Sequence, residues 1–338
     1  MDTTLLLNIG ILILGILILV YSGNYLVKGS VALANHFKIS SLVIGLTVVA
    51  FGTSAPELIV SLEAALTGHP EIALGNVVGS NIANIALVLA LTVIILPMPV
   101  AAQTIKRSWP IMFISGIVLY GSMYNGLITP LEGILMFAML ILFIISSIKS
   151  AKRFPVPISI PKPDNQYKVW VYLVMVIISS AGLALGSGFL VNGASEIALT
   201  IGVSERIISL TVVAFGTSIP ELTASVIAAI KKETDISVGN IVGSNIFNVF
   251  AVIGITSGIH AIHFDFDVFR IDLNYMLFIY LLLFVFILPF SHLFNRSKEV
   301  PGSLFGRYKS IPGSIISRLE GIVLFILYVS YIIIILKF

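Results

Sequence analysis

The chain has 338 residues, 58% of them hydrophobic and only 10% charged, with a formal net charge of +3. Soluble domains carry about a quarter charged residues, so this composition excludes an ordinary aqueous fold and implies a polytopic helical membrane protein. The absence of cysteine also excludes disulfides, thiolate metal centres and thiol nucleophiles.

The first residues, Met1-Asp2-Thr3-Thr4, lack the basic region of a cleaved signal, so the first apolar run is expected to be a retained helix. Apolar spans then recur near 5–34, 42–67, 72–96, 109–123, 127–148, 169–199, 206–230, 236–259, 274–290 and 315–336. The expected fold class is therefore an all-α polytopic membrane protein of ten transmembrane helices. Five precede and five follow the polar stretch 149–168, whose four prolines and five basic residues read as an extended cytoplasmic linker. The loop near 291–314 is similarly basic, and both loops act as topology signals.

Residues Leu46–Leu58 (LTVVAFGTSAPEL) and Leu210–Leu222 (LTVVAFGTSIPEL) are identical at twelve of thirteen positions, at an offset of 164. The same offset aligns GNVVGSNIAN (Gly75–Asn84) with GNIVGSNIFN (Gly239–Asn248). The expected organisation is a first five-helix repeat over 1–148, the linker, and a second repeat over 169–338. Five spans per repeat force the two copies into opposite orientations, with broken helices meeting near the bilayer midplane. With the N-terminus outside, fifteen of the nineteen Lys and Arg residues fall on inner loops and helix ends. The positive-inside rule thus puts both termini outside the cytoplasm.

The chemistry follows from the repeated motif. Pro56 and Pro220 have no N–H to donate, and their rings push against the carbonyls of Gly52 and Gly216, so each helix must kink or open there. Freed carbonyls at membrane depth are tolerated where they line a cavity or bind something. In the next helix Asn76, Ser80 and Asn84, and likewise Asn240, Ser244 and Asn248, form a polar stripe beside small glycines. Glu57 and Glu221 carry the most information: a carboxylate at the bilayer centre costs about 2.5 kcal/mol or more. Neither has a Lys or Arg in its motif or on the adjoining asparagine helix. Two such acids call for a cation. Carboxylate, hydroxyl, amide and carbonyl oxygens suit calcium, sodium or magnesium, and a flexible oxygen shell favours calcium over magnesium. The five histidines fall in loops or at helix ends, which makes zinc and copper poor candidates.

The doubled GTSAPE/GTSIPE motif, each copy followed by GN-x-VGSNI-x-N, resembles the two alpha-repeats of the sodium/calcium exchanger family, within the calcium/cation antiporter superfamily. The resemblance implies cation ligation by Thr53, Ser54, Glu57, Ser80 and Asn84 from the first repeat, and by Thr217, Ser218, Glu221 and Ser244 from the second. The carbonyls of Ala50 and Ala214 would add sodium ligands. Asn248 completes the set, although many prokaryotic and potassium-dependent members have Asp there, so the site carries at most two formal negative charges. The implied activity is sodium/calcium antiport, with a calcium/proton antiporter using the same glutamates as the alternative. An intramembrane protease would need a base near Ser54 or Ser218, and none is evident. A passive channel would show a far higher conductance. The expectations are transported calcium and sodium but no cofactor, no enzymatic activity, no nucleic-acid partner, and a monomer in the plasma membrane.

Overall fold

The computed structural model describes residues 3–153, 167–203, 216–288 and 315–337. Its helices are α1 (Thr3–Phe37), α2 (Ser41–Thr53), α3 (Ala55–Leu66), α4 (Pro70–Ile95), α5 (Trp109–Met123) and α6 (Pro130–Arg153). Beyond residue 166 come α7 (Val169–Thr200), α8 (Ile219–Ile230), α9 (Thr234–Ile259), α10 (Phe266–Ile287) and α11 (Arg318–Lys337). Helix thus appears in each of the ten expected intervals. Among the described residues seven helices are long and apolar enough to cross a membrane, or eight counting the bent pair α2–α3.

Two helices form the centre. The most apolar stretch of α9 is 94% buried and that of α4 is 78% buried, against 17% for α1 and α11. These are also the two helices that carry the asparagine stripes, so polar side chains sit in the best-shielded part of the molecule. Close backbone approach makes this packing possible. A Cβ on Gly239 would lie 2.7 Å from the carbonyl of Leu42, and one on Gly243 would lie 2.7 Å from the Ala50 Cβ. Glycine is therefore required where α9 crosses α2. The first-repeat counterpart Gly79 differs, since a Cβ there would meet nothing within 4 Å. At the edge, α1 lies along α7, where a Cβ on Gly15 would come within 2.6 Å of the Leu190 amide nitrogen.

Several boundaries depart from the sequence expectation for local reasons. The bend predicted from Pro56 is present: α2 and α3 meet at 44°, with Ser54 at φ −88° and ψ 4° as the break. Helix α10 starts eight residues before the expected 274, because Asp265 caps it by accepting from the Asp267 amide at 2.9 Å. The exposed Arg270–Asp267 ion pair then lets polar residues ride on its first turns. Helix α6 runs on to Arg153, into the segment expected to be linker. An all-α fold is also slightly too simple. Two-residue strands β1 (Met98–Pro99) and β4 (Ile315–Ile316) pair, as do β2 (Leu127–Ile128) and β3 (Ile262–His263). The expected start of the helix at 206–218 and the loop 291–314 lie largely or wholly outside the described residues.

Helix ends match between the halves in backbone and differ in side chain. Lys38 (φ 53°) ends α1 and Gly202 (φ 86°) ends α7, while Gly68 (φ 84°) ends α3 and Lys232 (φ 64°) ends α8. Each pair is related by the 164 offset. In each case the next residue bonds back to a helix carbonyl, such as Ile39 N to Ala34 O at 3.0 Å and Val203 N to Ala198 O at 3.0 Å. A left-handed lysine costs roughly 1 kcal/mol that glycine avoids. Lys38→Gly and Lys232→Gly are each expected to raise stability by about 0.5–1 kcal/mol in thermal unfolding of the detergent-solubilised protein.

Candidate functional site

The bent pair α2–α3 and, in the second copy, α8 bring the repeated acids inside. Pro56 and Pro220 each occupy the first turn of α3 or α8, where a missing N–H costs nothing, and Glu57 and Glu221 follow immediately. Both glutamates are fully buried. The copies touch: Ser54 Oγ donates to Glu221 Oε1 at 3.2 Å. Thr53 Oγ1 lies 3.0 Å from Asn240 Oδ1, its acceptor, and 3.3 Å from both the Ser244 hydroxyl and the Ala50 carbonyl. Thr53 at the end of α2 therefore reaches α9, and Ser54 at the break reaches α8, joining the halves through hydroxyls, an amide and a carboxylate.

The asparagine stripes divide their labour. Asn76 Nδ2 donates to Ser61 Oγ at 2.9 Å and to the Glu57 carbonyl at 3.3 Å. Asn240 repeats this with Ser225 Oγ at 3.0 Å and the Glu221 carbonyl at 3.4 Å. These two asparagines tie each glutamate's backbone to the neighbouring helix, which explains why Asn recurs there without being a ligand candidate. The lower members of the stripes behave otherwise. Each begins a π turn, Asn84–Leu89 in α4 and Asn248–Ile253 in α9. Helix α8 packs on the first π turn and α3 on the second, so each glutamate helix rests on the other copy's wide turn.

The buried polar atoms without a protein hydrogen-bond partner concentrate here. They include both carboxylate oxygens of Glu57, Oε2 of Glu221, the hydroxyls of Ser80 and Ser218, both amide atoms of Asn84 and Oδ1 of Asn248. Buried polar groups are normally paired, and each exception needs a physical reason. A desolvated cation held by oxygen ligands supplies one. No ion pair to a base offers another: among the described residues the one ion pair is Arg270–Asp267, which is exposed. Nor do the described residues contain a group of three or more His, Asp or Glu able to hold a metal. Among the described residues, the groups left unbonded there are carboxylate, hydroxyl and amide atoms.

Of the residues expected at the site, Thr53, Ser54, Glu57, Ser80, Asn84, Ser218, Glu221, Ser244 and Asn248 are buried, and Thr217 is half-buried. Ala50 is fully buried, with its carbonyl also accepting from the Ser54 amide at 3.0 Å. Ala214 lies outside the described residues. Sequence reasoning missed Ser61 and Ser225, although both recur at the 164 offset. It also gave no role to Asn81, Asn245 or Tyr280, and Tyr280 has no repeat partner to announce it.

Comparison with known proteins fits this geometry. The family model described as sodium/calcium exchanger protein matches residues 7–149 and 171–337. CaxA of Alkalimonas amylolytica is 39% identical over 254 residues, covering 72% of this chain and 78% of its own. The sodium/calcium exchanger MaX1 of Methanosarcina acetivorans is 27% identical over 287 residues, covering 74% of this chain and 82% of its own. A solved structure of the sodium-calcium exchanger NCX_Mj superposes with a TM-score of 0.77 at 30% identity, covering 97% of this chain and 98% of that one. The protein is a multi-pass membrane cation antiporter, not an enzyme, and it belongs to the sodium/calcium exchanger family.

Proposed function

We propose that this chain exchanges sodium for calcium by alternating access, with ten membrane crossings arranged as two inverted five-helix repeats over 1–148 and 169–338. One observation carries the reading: two fully buried glutamates from the two motif copies, without a basic partner among the described residues, amid oxygens left unbonded by protein. Thr53, Ser54, Glu57, Ser80 and Asn84, with Thr217, Ser218, Glu221, Ser244 and Asn248, are the proposed side-chain ligands. The carbonyls of Ala50 and Ala214 complete the sodium sites. The basic residues favour both termini outside a plasma membrane and the 149–168 linker in the cytoplasm. The proposed unit is the monomer.

Electrostatics supplies the coupling. An empty site carries two uncompensated charges in a low-dielectric interior, a penalty of several kcal/mol per ion. Reorientation is thereby confined to loaded states, which enforces exchange over leak. Calcium brings the site to neutrality; if three sodium ions counter one calcium, as the resemblance to the family implies, they bring it to +1. The sodium-loaded step then responds to voltage by about 2.3 kcal/mol per 100 mV. Helices α1 and α7, packed on each other along their length with only 17% and 28% of their most apolar stretches shielded, are the proposed moving pair. The hydroxyls of Thr53 and Ser54, both within the contact between the halves, favour sodium as the counter-ion, since a proton needs no oxygen cage.

Proteoliposomes loaded with sodium and diluted into sodium-free buffer should accumulate calcium, and an imposed proton gradient alone should not drive uptake. Uptake driven by protons without sodium would instead assign the calcium/proton alternative. Glu57→Gln and Glu221→Gln are each expected to lower this uptake about a hundredfold, since removing one charged ligand costs ~3 kcal/mol. Ser54→Ala should be milder, raising the half-saturating sodium concentration roughly fivefold by the loss of one hydroxyl ligand and its bond to Glu221.

A further inference from the structure

Both repeats carry asparagine at matched positions, 81 and 84 in one copy and 245 and 248 in the other. Their amides are nevertheless bonded differently. Asn245 is satisfied locally: its Oδ1 accepts from the Tyr280 hydroxyl at 2.9 Å and its Nδ2 donates to the Ile241 carbonyl at 2.7 Å. At the 164 offset Tyr280 corresponds to Gly116, which brings no hydroxyl. A Cβ on Gly116 would itself meet Tyr280 Cε2 at 3.2 Å and Met276 Cε at 3.4 Å, so the second-half ring fills the space beside it. Asn81 therefore bonds elsewhere. Its Nδ2 faces the Met276 sulfur at 3.8 Å, and its Oδ1 accepts from Asn248 Nδ2 at 3.2 Å. Asn81 and Asn248 are both fully buried.

The polarity of this chain of contacts runs one way. A thioether sulfur only accepts, so it selects the NH2 end of Asn81. That choice leaves the Asn81 oxygen for Asn248, which must then present its own NH2 to it. Turning Asn248 alone would set two carbonyl oxygens against each other. Turning both would aim an oxygen at the sulfur. The remaining atom of Asn248, its Oδ1, has no protein partner, and the helix bearing Glu57 packs on the turn that Asn248 begins. Its counterpart Asn84 has neither amide atom bonded.

We propose that Asn81, backed by Met276, is a positioning residue that locks Asn248 with its amide oxygen toward the transported cation, while Asn84 is free to turn. Asn248 is then a fixed, uncharged oxygen ligand for a hard cation, and two repeats of nearly one sequence offer one rigid amide and one adaptable amide. This rests on the proposed ligand role of Asn248.

The test is a double-substitution cycle on the full chain, reading calcium binding to the detergent-purified protein by calorimetry alongside vesicle uptake. Asn81→Leu and Asn248→Leu are each expected to weaken calcium binding about tenfold, the size of one misdirected oxygen ligand. The double variant should bind no more weakly than Asn248→Leu alone, because Asn81 acts only through Asn248. Met276→Leu keeps the volume and should give a loss of roughly twofold in the same direction, which decides the matter if Asn81→Leu does not fold. Unchanged binding in Asn81→Leu, additive losses in the double variant, or unchanged binding in Met276→Leu would overturn the proposal. Failure of the underlying reading looks different: Glu57→Gln would then bind calcium as the parent does, whereas failure of this inference alone leaves Glu57→Gln defective.

Discussion

The structure depends on an imbalance of charge: Glu57 and Glu221 are buried, and among the described residues neither forms an ion pair with a base. A soluble protein would neutralise such acids with lysine or arginine, and a membrane protein optimised for stability alone would not carry them. Hydroxyl and amide groups soften the imbalance without removing it. Ser54 reaches Glu221 across the repeat boundary, and Asn76 and Asn240 anchor the backbone on which each acid sits. Positions are therefore fixed while charge is left open, which is the condition a mobile counter-ion requires.

The surrounding packing serves that arrangement. Helices α4 and α9 are the most shielded spans; there Asn76, Asn240 and Asn245 are answered by side chains of neighbouring helices, whereas Ser80 and Asn84 are left unbonded by protein. Glycine sets the helix spacing at one crossing and not at the other: Gly243 lies against Ala50 and Leu46, whereas Gly79 has open space. On the outer side of α4 and α9, α5 and α10 lock through aromatic contacts. Trp109 stacks on Phe284 with ring centroids 4.0 Å apart and donates its indole N–H to the Tyr280 carbonyl at 2.9 Å. The same Tyr280 directs its hydroxyl to Asn245, so one residue links the aromatic layer to the polar centre.

Much of this was legible in the chain. The doubled motif, the helix break before Pro56, the isolated acids and the peripheral placement of His36, His69, His260 and His263 are local or repeat features, and repetition amplifies them above the noise of an oily sequence. What was not legible depends on partners far apart. Asn81 and Asn248 meet across 167 residues, and the residue that makes their pairing necessary is a glycine, Gly116, notable for what it lacks. The lysines at Lys38 and Lys232 hide left-handed turns that glycine would have advertised. The early start of α10 was obscured by Asp267, Arg270 and Asp272, which lower its hydropathy although a capping aspartate begins the helix.

The π turns have a consequence for how such a chain tolerates change in length. A π turn holds one residue more than an α turn, so it rotates everything beyond it by about one residue's worth of helical phase. Deleting a single residue from Asn84–Leu89 or Asn248–Ile253 would let the wide turn relax to ordinary α pitch while the residues beyond it keep their present phase. The same deletion in the α-helical turns on either side would swing everything beyond it roughly 100° away from its present neighbours. The two wide turns are thus the places along α4 and α9 where one residue can be lost without repacking the helix ends.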